Sequence, residues 1–129
     1  MSENHIRLVI RSQEISLTYI SQRVGLHPDK CWKIGDCFEG STVPRKENVW
    51  IFNAKGTKHS AIDEQIESLL AELRPHASKF LELSKEVEIT ISCAAYVKSP
   101  PPLFFDKKII GDIQALGASL DIDLYFMED

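Results

Sequence analysis

The chain has 129 residues and a mass of 14.6 kDa, the size of one domain and enough to bury about two thirds of its extended-chain surface in a single core. Hydrophobic residues at 43%, charged residues at 26% and only 6 Gly and 6 Pro exclude a low-complexity, collagenous or largely disordered chain. A formal net charge of -4 argues against nonspecific binding to nucleic acid, which needs clustered Lys and Arg to displace phosphate counterions.

From the N-terminus, Ile6, Leu8 and Ile10 alternate with His5, Arg7 and Val9, the period of two of a strand with one covered face. Charges at Glu3, Arg7 and Arg11 interrupt any apolar core of a signal peptide. Ser16 is placed to cap a short helix, with Ile15 and Ile20 as its hydrophobic staple and Leu17, Ile20 and Val24 on one face. Gly25 ends that helix and Pro28 prevents its continuation. Cys31 to Ile34 is a short strand candidate, and Asn48 to Asn53, carrying Val49, Trp50, Ile51 and Phe52, is strongly β-prone. Between them, residues 35–47 hold Gly35, Gly40, Ser41, Thr42 and Pro44, an irregular segment long enough to carry a binding function.

Ser60, with Asp63 three places later, marks the start of a longer helix over residues 61–83 with the apolar stripe Ile62, Ile66, Leu69, Leu70 and Leu73. Pro75 kinks it or starts a second helix, with Phe80, Leu81 and Leu83 continuing the buried side. Val87, Ile89, Ile91, Cys93 and Ala95 then alternate with polar or small residues over a strand at 87–95 whose apolar face should meet the long helix. Pro100 to Pro102 form an extended connector, and Asp106 caps a helix bearing Ile109, Ile110, Ile113 and Leu116 before Gly117 closes it. Leu120, Ile122, Leu124 and Phe126 form the buried face of the last strand, and Asp121, Asp123 and Tyr125 point outward. The order β-α-β-β-α-β followed by α-β predicts an α+β sandwich: a ferredoxin-like split βαβ arrangement with an added C-terminal α-β unit, in one domain spanning 1–129. Its sheet is expected to be mainly antiparallel, with the helices on one face and the last strand beside the fourth.

The run Gly25-Leu26-His27-Pro28, then Trp32 with Gly35-Asp36, then Trp50 after the basic pair Arg45 and Lys46, resembles a bacterial family catalogued as domain of unknown function 4279. Leu116-Gly117 and the final Asp121-Ile122-Asp123-Leu124-Tyr125 are similar to the same family, so the resemblance covers nearly the whole chain. It implies a compact bacterial domain and brings no catalytic residues with it.

His27, Cys31 and Cys37 are possible zinc donors, but their loose spacing lacks a Cys-x-x-Cys knuckle, and a Cys nucleophile with His27 or His59 has no supporting motif. No catalytic residue, metal or cofactor is therefore expected. The three cysteines, Cys31, Cys37 and Cys93, form an odd set that fits reduced thiols in a cytoplasm. No apolar run approaches the roughly 20 residues of a membrane-spanning helix. Trp50 belongs to the core, while Trp32 and Asp36 form a possible loop contact.

Charge is uneven along the chain: residues 1–60 carry +3 and residues 61–129 carry -7. This points to an acidic surface drawn from the last two elements, with Asp112, Asp121, Asp123, Tyr125, Glu128 and Asp129 as candidate partner contacts. The leading expectation is a non-enzymatic bacterial binding protein, most concretely an immunity-type inhibitor covering a cationic toxin domain, with no nucleic acid or membrane partner. The alternatives are a small-molecule or metal-binding enzyme using the 31–47 loop, and a structural or accessory domain.

Overall fold

A computed structural model describes residues 2–128. The central element is β1 (Glu3–Ser12), whose alternation is realised as Ile6, Leu8 and Ile10 buried on one face and His5, Arg7 and Arg11 exposed on the other. A serine hydroxyl manages the exit from β1: Ser12 Oγ accepts from the backbone N–H of Ile15 at 2.9 Å. Helix α1 (Leu17–Val24) follows, capped by Ser16, whose hydroxyl accepts from Tyr19 N–H at 3.1 Å. Gly25 ends it at φ 75°, a left-handed conformation that glycine adopts without steric cost. Strand β2 (Lys30–Trp32) is shorter than the sequence suggested and stops at Trp32, while β3 (Asn48–Asn53) has the expected bounds.

Beyond β3, α2 (Ile62–Leu73) is followed by a 3-10 turn (Arg74–His76) with Pro75 in its first positions, and then by α3 (Ala77–Leu83). The expected continuous helix is thus divided at Pro75, because proline supplies no N–H to the ladder and is accommodated at the start of a new turn. Ser60 does not cap α2. The N-cap is Ala61, without a side-chain bond. Ser60 Oγ instead lies 3.1 Å from Thr57 Oγ1, and its carbonyl accepts from the side-chain amides of Gln65 and Asn4 at 2.9 Å each.

Strand β4 (Glu88–Val97), helix α4 (Lys107–Ala115) and β5 (Ser119–Phe126) complete the order. The cap of α4 is as expected, Asp106 accepting from Ile109 N–H at 2.9 Å.

The five strands form one sheet in the order β2-β3-β1-β4-β5. The pairs β2/β3, β3/β1 and β1/β4 are antiparallel, and β4/β5 is parallel, as required when a helix crosses over between neighbouring strands. This is an α+β fold with a mixed, mostly antiparallel sheet. All helices lie on one face, α1 over β3, α2 over β1 and α4 over β5. The main sheet contact of α2 is therefore β1 rather than β4, although its stripe shares one apolar cluster with Ile89, Ile91 and Cys93. Trp50 is fully buried in that cluster, its ring 6.3 Å from those of Phe52 and Phe80, and its indole N–H donates to Ser21 Oγ at 3.0 Å.

Four residues depart from the expected burial. Ile110 is 57% exposed because the buried stripe of α4 runs Ile109, Ile113, Leu116, and Ile110 lies about 100° around the helix from it. Leu81 is displaced in the same way from Phe80 and Leu83 on α3. Phe126 is 60% exposed at the last position of an edge strand. Val9, on the face away from the helices, is only 2% exposed, because it lies at the bottom of a groove whose sides are the long side chains of β1 and the β2–β3 connection. Among the described residues no helix is long and apolar enough to cross a membrane.

Two glycines of the α4 region make opposite predictions. Gly117 has φ 69°, and a Cβ there would run into the side chain of Ser84, whereas a Cβ on Gly111, inside α4, would meet nothing within 4 Å. Gly117→Ala should cost more than about 1 kcal/mol, and Gly111→Ala should add about 0.5–1 kcal/mol, both read from urea unfolding midpoints.

Candidate functional site

The segment joining β2 to β3 is a finger closed on itself. The N–H of Gly35 donates to the carbonyl of Arg45 at 3.0 Å, the N–H of Arg45 donates to the carbonyl of Asp36 at 2.7 Å, and Cys37 bridges Pro44. The tip turns through a bond from Ser41 N–H to the Phe38 carbonyl at 2.9 Å. Asn48 anchors the base of the finger. Its Oδ1 accepts from Ile34 N–H and its Nδ2 donates to the Ile15 carbonyl, both at 2.9 Å, so this buried amide ties the finger to the turn after β1. The carboxylate of Asp36 accepts from Lys33 N–H at 2.9 Å; this expected contact residue shapes the loop.

The finger and the exposed face of β1 and β3 enclose a groove of about 690 Å³, within the roughly 300–1,000 Å³ of small-ligand sites. Its floor is Val9, Val49 and Ile51. Val9 and Ile51 stand opposite each other in the β1/β3 register, each 2% exposed. Trp32, Phe38, Val43 and Pro44 form the apolar part of the wall, and Arg7, Arg11, Arg45 and Lys46 supply four cations.

The guanidinium of Arg45 is held between two rings, its Cζ 4.4 Å from the Trp32 centroid and 3.9 Å from that of Phe38. Each ring face attracts the cation through its quadrupole. The Nε of Arg45 is buried without a hydrogen-bond partner. Glu47 is the one carboxylate in the lining and lies 3.7 Å from Arg11. Among the described residues Arg7, Arg45 and Lys46 make no ion pair. The groove thus offers positive potential above an apolar floor, the combination that holds an anionic group carried on an apolar body.

The acidic residues expected to form one surface are divided by the sheet. Asp121, Asp123 and Tyr125 share the outward face of β5, with Tyr125 stacked on Tyr96 at 5.0 Å between centroids. Asp112 belongs to α4 in the helical layer and is bound by Arg74 at 2.9 Å. Glu128 is exposed just beyond β5, and Asp129 lies outside the described residues. Of the loop thiols, Cys31 sits on β2 opposite Trp50 and Cys37 on the finger, both exposed. Among the described residues no three His, Cys, Asp or Glu side chains converge on a point that could hold a metal ion.

The groove cations Arg7 and Arg11 are spaced by four on a strand, hence on one face of it, and this signal was readable in the sequence. What brings Arg45, Lys46 and Phe38 to them is the path of the finger. Fold and groove together define an α+β domain with one helix-covered sheet face and one open, charged face. The chain belongs to the family described as domain of unknown function (DUF4279), which it matches over residues 2–127. No curated protein and no solved structure matches it.

The thiols generate a prediction. Burial, and secondarily the charge of Asp123, pushes the Cys93 thiol up to about 11, so it stays protonated and shielded, whereas Cys31 and Cys37 are exposed to reagent. Titration with a disulfide reagent at pH 8 should count two fast thiols and release the third only in denaturant. Because the folded state holds the Cys93 proton more tightly than the unfolded chain, stability should fall as pH rises from about 9 toward 11.

Proposed function

We propose that the protein is a non-enzymatic binding protein of the bacterial cytoplasm, and that its binding site is the groove under the 33–47 finger. The observation that carries this is Arg45, fixed between Trp32 and Phe38 beside other cations and without a carboxylate of its own. Such a cation is preorganised, so an incoming anion meets little ordering cost. The rest of the lining is mostly apolar or cationic, with the Gln13 amide and a single carboxylate, Glu47, set beside Arg11, and it includes no thiol, hydroxyl or imidazole, which favours recognition over nucleophilic chemistry. The fitting ligand is a carboxylate on an apolar body, either a free small molecule or an acidic side chain beside an aromatic one in a partner's peptide segment. Free thiols at Cys31, Cys37 and Cys93 support a reducing compartment. The order β2-β3-β1-β4 with alternating directions supports reading the first four strands as a ferredoxin-like split βαβ unit extended by α4 and β5.

A second reading, the inhibitor of a cationic toxin domain, is favoured by the exposure of Asp121, Asp123 and Tyr125 in one row. It uses a different part of the same sheet face from the groove.

The groove reading is tested by proton–nitrogen correlation spectra, in which the indole N–H of Trp32 reports on the groove and that of Trp50 on the core. Naphthoate and a short acidic-aromatic peptide should shift the Trp32 signal and spare Trp50, and the tighter of the two identifies the source of the anion. Arg45→Gln should weaken the binding by about tenfold or more, the scale of one charge-assisted hydrogen bond. Equal binding of naphthylmethylamine, or shifts at Trp50 alone, would overturn it.

A further inference from the structure

The open sheet face is electrically divided. Strand register places Arg7, Ser92 and Asp121 in one row across β1, β4 and β5, and His5, Ala94 and Asp123 in the next. With neighbouring strands about 4.8 Å apart, Arg7 and Asp121 are about 10 Å from each other, beyond an ion pair. Among the described residues Arg7, Asp121 and Asp123 make no ion pair, and all three are exposed. One sheet therefore carries unneutralised charges of both signs, one strand to either side of β4, with the helices all on its other side.

We propose that this face binds a second copy of the chain, sheet against sheet, about a two-fold axis running along β4. Such an axis exchanges the two sides of β4, laying β1 of each copy over β5 of the other. Arg7 then meets Asp121 of the second copy and His5 meets its Asp123, and each contact occurs twice because a two-fold interface is isologous. A two-fold axis across the strands would instead lay each strand over its own copy and oppose like charges. The axis falls on Ser92 and Ala94, which are small and partly exposed, so the sheets can approach to the roughly 10 Å of face-to-face packing. The stacked, exposed rings of Tyr96 and Tyr125 lie at one end of the same strands, the residue type that anchors interfaces. The groove shares Arg7 with this surface, whereas its clamp of Arg45, Trp32 and Phe38 belongs to the β2–β3 flank left outside the overlap.

Sedimentation analysis of the full chain tests this. A dimer is expected at low salt, weakened by added salt because the opposed charges are screened. Arg7→Glu and Asp121→Arg should each raise the dissociation constant by about tenfold or more. The double variant Arg7→Glu with Asp121→Arg should return to within about threefold of the parent, since the charges are exchanged rather than removed. Circular dichroism confirms that the variants are folded. Arg45→Gln, which disables the groove, should leave the dimer unchanged, so the two proposals fail separately. A monomer at every concentration up to hundreds of micromolar, a dimer indifferent to both single variants, or a double variant no better than the singles would overturn the dimer. So would a sheet face that pairs only with a basic protein of another kind.

Discussion

Every helix of this protein packs on the same face of the sheet, and the rest of the structure follows from that one-sided covering. The inward rows of β1, β3 and β4 are closed by α1, α2 and α3 into a cluster in which Trp50, Phe80 and Leu69 are fully buried. That cluster supplies the apolar burial that dominates folding. The opposite face receives no helix, and its apolar residues must be covered in some other way. At Val9 and Ile51 the cover is the ring of groove side chains, drawn from β1, β3 and the finger.

The finger holds its shape through local polar bonds. Asp36 closes the first turn, the Gly35–Arg45 and Arg45–Asp36 backbone bonds zip the base, and Asn48 fastens it to the start of α1. A segment stabilised by these bonds can spend its larger side chains outward, and Phe38 and Trp32 enclose Arg45 instead of entering the core. The rigidity of this clamp comes from backbone bonds and ring geometry, while its exposure keeps the cation available.

Charge segregation along the chain becomes a different segregation in space. The acidic second half of the sequence is distributed over both layers: Asp112 is neutralised by Arg74 in the helical layer, and Asp121 and Asp123 stand on the sheet face beside β4. The basic first half is gathered more tightly, because β1 and the finger are neighbours across β3. The sheet face is therefore bipolar, an outcome that the sums +3 and -7 for the two halves did not specify.

Local chemistry made much of the architecture legible. The alternation in β1, the caps at Ser16 and Asp106, the glycine ends at Gly25 and Gly117, and the bounds of β3 each depend on a few neighbouring residues, which a linear sequence displays. Expectation and structure part where a residue's environment is set by distant chain. Ser60 has the right spacing for a cap but its hydroxyl lies against Thr57, and Val9 has the position of an exposed residue but lies under the groove. The acidic row on β5 followed from periodicity alone, whereas the cationic groove required strand order and the fold-back of the finger. The sequence by itself determined which residues point to the helical side of each strand, because side-chain alternation is built into the extended backbone. Only the tertiary structure decided which outward residues meet, because strand order and loop path join positions such as Arg7 and Arg45 that no local rule relates.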